Sequence, residues 1–94
     1  MAKVTLNRYV WVDFDLAIGQ DHTLREHLLL EIRGGEEAED VLDRYFIELG
    51  GDKWGPGSYQ DVYGGCSVRV LDRRDVSILE YETISKFFGK AVRP

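Results

Sequence analysis

The chain has one cysteine, Cys66, in 94 residues. An internal disulfide is therefore impossible and a multi-cysteine zinc site is excluded. At this length the fold has to rest on packing around one small core, because a chain of this size buries only about 60 to 65% of its unfolded surface. Long apolar runs are also missing: no stretch approaches the roughly 18 apolar residues of a membrane helix, and the start, MAKVTLNRYVWV, lacks the uninterrupted apolar core of a signal peptide. The expectation is a cytosolic protein with no membrane partner. Positive charge is scarce, with 12 Lys and Arg against 17 Asp and Glu, a net charge of −5. The deficit lies in the first 47 residues, which carry ten acids and five bases, while the remainder carries seven of each. Phosphate contacts need a positive footprint, so direct binding of nucleic acid is disfavoured and a partner with a basic surface is favoured. There is no linker or low-complexity segment, so residues 1–94 form a single domain.

What is present is a clear set of periodic segments. Val4, Leu6, Val10, Val12, Phe14 and Leu16 alternate with Lys3, Thr5, Asn7, Tyr9, Trp11, Asp13 and Asp15, the pattern of a strand with one aliphatic face. Residues 23–33 fit either a strand, through Leu28, Leu30 and Ile32, or a helix, through Leu24, Leu28 and Ile32. A strand is preferred, because the next helix follows after only RGG, and a hairpin with the first strand results. Residues 36–49 form a helix with Ala38, Val41, Leu42, Tyr45, Phe46 and Leu49 on one arc, closed by Gly50. YQDVYGGCSVRVL is a hairpin turning at Gly64 and Gly65, with Tyr63 facing Cys66, Asp61 facing Val68 and Tyr59 facing Val70. A last helix starts at the Ser77/Glu80 capping box, ends at Gly89, and has Ile78, Tyr81, Ile84, Phe87 and Phe88 as its apolar arc. The expected fold is α+β, ββαββα: a four-stranded antiparallel sheet with two helices on one face.

If both helices lie on one face, Tyr9, Trp11, Asp13 and Asp15 project from the other. Large aromatics beside acids have the composition of an interface anchor, although the segment 49–63 could fold back over them. Glu36, Glu39, Asp40 and Asp43 cluster on the first helix with Ile47 among them. Acids in a first turn satisfy the helix dipole, yet an apolar residue inside an acidic patch also suits a basic groove, whose phosphate ladder such a patch can imitate. Trp54, in the connection DKWGPGS, either folds inward to close an end of the core, the preferred placement, or stands outward as an anchor.

Catalytic patterns are weak. Asp13 and Asp15 aim the same way and could hold a hard cation, with His27 joining if the second strand runs alongside. Cys66 reads as a small buried hydrophobe rather than a nucleophile. Arg69, Arg73 and Arg74 could meet phosphate, but Asp72 and Asp75 flank the last two, which suggests a self-neutralised loop. GGDKWGPG lacks the G-x-x-x-x-G-K-[ST] spacing of a phosphate loop.

These features point to a non-enzymatic acidic binding protein with no cofactor, docking through Tyr9, Trp11, Asp13, Asp15, Glu36, Glu39, Asp40, Asp43, Ile47 and Trp54. Its narrowest form is an inhibitor of a nucleic-acid-handling complex, of the counter-defence kind that phages and other small mobile elements encode. A toxin-neutralising immunity protein has the same chemistry. The alternative is a small metal-dependent enzyme or metal-binding homodimer built on Asp13, Asp15 and His27, and a symmetric dimer through an edge strand is a third, structural reading.

Overall fold

The computed structural model describes residues 7–92 and Pro94. The elements run β1 (Arg8–Ile18), β2 (His22–Ile32), α1 (Ala38–Glu48), β3 (Asp52–Gly55), β4 (Ser58–Val62), β5 (Cys66–Val76) and α2 (Ile78–Phe88). The strands make one antiparallel sheet in the order β2-β1-β5-β4-β3. The α+β class with two helices holds, but the sheet has five strands rather than four. Val4 and Leu6, with Lys3 and Thr5 opposite them, lie outside the described residues. No helix among the described residues is long and apolar enough to cross a membrane.

The alternation in β1 places Val10, Val12 and Phe14 on one face, here called inner, where all three are buried. Residues 22–32 are the expected strand, paired with β1 so that Val10 faces Leu30 and Val12 faces Leu28. Helix α1 lays Val41, Leu42 and Phe46 on this face, with Ala38, Tyr45 and Leu49 at the margin, the arc its period predicts. The ring of Phe46 sits between Phe14, centroids 5.4 Å apart, and Tyr59, 4.8 Å apart. Among the described residues, twelve buried ones form this inner cluster. Each large apolar side chain fully buried there stabilises the fold by about 1.5 to 3 kcal/mol relative to exposure.

The segment read as a plain connection contains a fifth strand. Residues Asp52–Gly55 pair with β4, but three of the four are exposed, so they leave no apolar alternation to betray a strand. The β4–β5 register also departs from expectation, since Val62 faces Cys66 and Tyr59 faces Val68. Tyr59 and Val62 are both wholly buried, yet three residues apart they would fall on opposite faces of a regular strand. An irregularity between them, with Asp61 at φ 60°, turns both inward, and the reversal runs through Tyr63 at φ 54° and Gly64 at φ 81°. Tyr63 N–H donates to Leu49 O (2.9 Å), fixing the turn to the end of α1. Gly51 is obligatory here, because a Cβ would stand 2.8 Å from both Phe46 O and Val62 Cγ2.

The helices do not share a face. β5 runs on to Val76 and only Ser77 separates it from α2. Val76 faces Tyr9 on the outer side of the sheet, and α2 folds back over that side. Tyr81 packs on Tyr9 (centroids 3.9 Å) and Phe88 meets Trp11 edge-on (5.4 Å). Among the described residues, Val76 and Leu29, opposite Tyr9 and Trp11, are the buried hydrophobics that lie outside the inner cluster. The capping box forms as expected, Ser77 Oγ accepting from Glu80 N–H while Glu80 accepts from Ser77 N–H. Beyond Gly89 the tail reaches the free edge of β2, where Val92 N–H donates to Leu29 O (2.8 Å) and Val92 O accepts from Glu31 N–H (2.9 Å).

Candidate interaction surfaces

The outer row of β1 is assembled as the alternation predicts, but it is not an open face. Tyr9 and Trp11 are half-buried beneath α2. Burial, reinforced by the charge of Glu31, pushes the Tyr9 hydroxyl up from its ordinary value. Trp11 also stacks on His27 (5.1 Å), which β2 brings opposite Asp13. One oxygen of Asp13 accepts from His27 Nδ1 at 2.6 Å and from Trp11 Nε1 at 2.8 Å. The bond from His27 chiefly holds this carboxyl below the usual carboxylate range; partial burial opposes it and the Trp11 bond assists. Asp15 turns instead to Arg25 Nε (2.9 Å). Of the three residues considered for a metal, Asp13 and His27 meet and Asp15 is drawn away. No group of three or more His, Cys, Asp or Glu able to hold a metal occurs among the described residues.

The acids of α1 are similarly engaged within the chain. Glu36 pairs with Arg44 and accepts from Arg33 N–H, and these bonds, that of Arg33 first, lower its pKa. Glu39 holds Lys53 (3.2 Å) and Arg73 (2.7 Å). Asp43 holds Lys53 (2.8 Å) and accepts from the Tyr59 hydroxyl (2.5 Å). Burial first, and that bond second, push the Tyr59 hydroxyl far above the ordinary tyrosine value. Asp40 has no ion pair among the described residues, and Ile47, two turns further along the same side of α1, is half exposed.

Arg73 and Arg74 stand on β5, not on a loop; their guanidinium groups pair with Glu39 and Glu80, while Asp72 accepts only from the Arg73 backbone N–H (2.9 Å). Cys66 is half-buried against the inner cluster. Trp54 is 74% exposed, so the inward placement fails: it sits on a four-residue edge strand with no core at hand.

An open apolar surface on α2 is one that the sequence reading missed. No residue of α2 is buried. Tyr81 and Ile84 are half-buried, while Ile78, Leu79, Phe87 and Phe88 are 62%, 76%, 80% and 67% exposed. At about 100° per residue Leu79 lies nearly opposite Tyr81 and Phe88, and Leu79, Thr83 and Phe87 form one i, i+4, i+8 ridge. A groove of about 460 Å³ runs beside it, lined by Arg74, Leu79, Glu80, Thr83 and Ile84. The signal was available: apolar residues point almost all the way round α2, and one sheet face covers only one stripe. Comparison with protein families, curated proteins and solved structures finds no match for the chain.

Proposed function

We propose that the protein is a non-enzymatic binding module that docks on another protein through the outer ridge of α2. The observation that supports it most is the exposure of Leu79 and Phe87 on a helix whose opposite side is already seated on the sheet. Two large apolar groups four-fifths open to water on one ridge are characteristic of surfaces that dock. A helix presenting i, i+4, i+8 anchors suits an apolar groove in a partner.

The net charge of −5 favours a partner whose groove has a basic rim, which keeps an inhibitor of a nucleic-acid-handling complex as the narrowest form of the reading, with a toxin-neutralising immunity protein beside it. The acidic helix contributes less than its composition suggests, since Glu36, Glu39 and Asp43 already hold cations of their own chain. Asp40 and Ile47 are the positions there that remain for a partner.

Capture of the partner on the immobilised protein tests the assignment. Leu79→Glu/Phe87→Glu should lose the protein that wild type retains, and Asp40→Lys should weaken its capture in a salt-dependent way. Retention at wild-type level by the ridge double variant would remove α2 as the docking surface.

A further inference from the structure

The sheet has two edges, and they are not alike. β3 is four residues long, has an irregular register, and ends at Gly55 and Pro56, devices that discourage further pairing. β2 is eleven residues long, and the side chains of His22–His27 are all exposed. The tail bonds show which backbone groups leave this edge: Leu29 presents its carbonyl outward and Glu31 its N–H. With a period of two, Thr23, Arg25 and His27 present theirs in the same direction. Val92 occupies the edge at Leu29 and Glu31, and among the described residues no other segment pairs with it at residues 22–27.

The geometry points to a symmetric dimer in which residues 22–26 of β2 pair antiparallel with the same residues of a second copy, with Leu24 on the twofold axis. In this register Thr23 and Arg25 of one copy meet Arg25 and Thr23 of the other. Each such couple exchanges two N–H···O bonds, so four backbone groups per copy are satisfied. His22 then stands beside Glu26 of the second copy on both sides of the axis, and the two Leu24 side chains meet as a closely spaced non-hydrogen-bonded pair. Leu24 is 47% exposed on the inner face opposite Leu16, so the contact extends the apolar surface that α1 leaves uncovered.

Neighbouring registers are poorer. A shift that centres Arg25 sets two guanidinium groups against each other and Leu24 against Glu26, while centring Thr23 leaves too short a ladder. A shift by one residue sets Thr23 and Arg25 against even-numbered residues, whose N–H and C=O groups point towards β1, so the ladder bonds are lost. Pairing stops at residue 26, short of Leu29 where the chain's own tail takes over, so one edge serves both. The interface is small, which places the dimer at the weak end of specific association. It is independent of the docking assigned to α2.

Sedimentation velocity of the full chain from micromolar to submillimolar concentration tests the dimer. Wild type should shift from monomer to dimer, and Leu24→Lys should remain monomeric while melting as wild type does. On a Cys66→Ala background, Leu24→Cys should form a disulfide-linked dimer on mild oxidation faster than Arg25→Cys. Leu79→Glu/Phe87→Glu should dimerise normally. A wild type that stays monomeric throughout, a dimer that survives Leu24→Lys, or faster crosslinking of Arg25→Cys would each overturn the inference.

Discussion

Both faces of the sheet carry a helix of eleven residues, yet the two helices are used differently. On the inner face α1 contributes Val41, Leu42 and Phe46 to a twelve-residue cluster and turns charged residues outward. On the outer face α2 buries none of its residues, half-covers Tyr9 and Trp11, and turns Leu79 and Phe87 to water. The same amphipathic logic that explains α1, Ile47 apart, explains only one side of α2. A helix that stabilises a fold needs one apolar stripe; the second stripe of α2 is what the proposed docking rests on.

The largest effect that sharpens this contrast is expected inside. Phe46→Ala removes the ring between Phe14 and Tyr59 and should cost about 3 to 5 kcal/mol, read from urea denaturation. Next comes Tyr59→Phe, which keeps the buried ring and takes away the donor to Asp43; a loss of about 1 to 3 kcal/mol is expected. On the outer face, Asp13→Asn should cost less than about 1 kcal/mol at neutral pH, because the group is partly exposed. Its folded pKa is depressed, so the stabilisation is present above the ordinary carboxylate value of about 4 and is lost as pH falls through the lower folded value. The gap between Asp13→Asn and wild type should therefore close on acidification below about pH 4, measured by thermal melting across pH. Smallest of all, Trp54→Ala should change stability by no more than about 0.5 kcal/mol, since the ring packs into neither face.

How much of this could be read from the residues depended on burial. The alternation of β1 over its described residues, the arc of α1 and the Ser77/Glu80 box have one-to-one consequences for local structure, and each is found, with α1 at Ala38–Glu48 inside the expected 36–49. β3 was illegible because an exposed edge strand has no apolar period. The bulge at Gln60 and Asp61 was equally hidden, since it answers a tertiary demand that Tyr59 and Val62 share one side. Which face α2 would take was undetermined by periodicity, and follows from the one-residue link between Val76 and Ile78. The site residues show the same division. Tyr9, Trp11, Asp13 and Asp15 do lie in a row, and His27 joins Asp13 as strand pairing allowed, but composition could not reveal that Arg25 and α2 would engage the others. The charges of Glu39 and Asp43 were visible in sequence, while their neutralisation by Lys53 and Arg73 depends on long-range pairing.

The central claim is that the outer ridge of α2 is not part of the fold's stabilising core. Thermal and urea unfolding of Leu79→Glu/Phe87→Glu, measured beside Phe46→Ala, tests it most directly. The ridge variant should unfold within about 1 kcal/mol of wild type, as paired substitutions at exposed positions do. A loss approaching that of Phe46→Ala would contradict the claim and return α2 to the core.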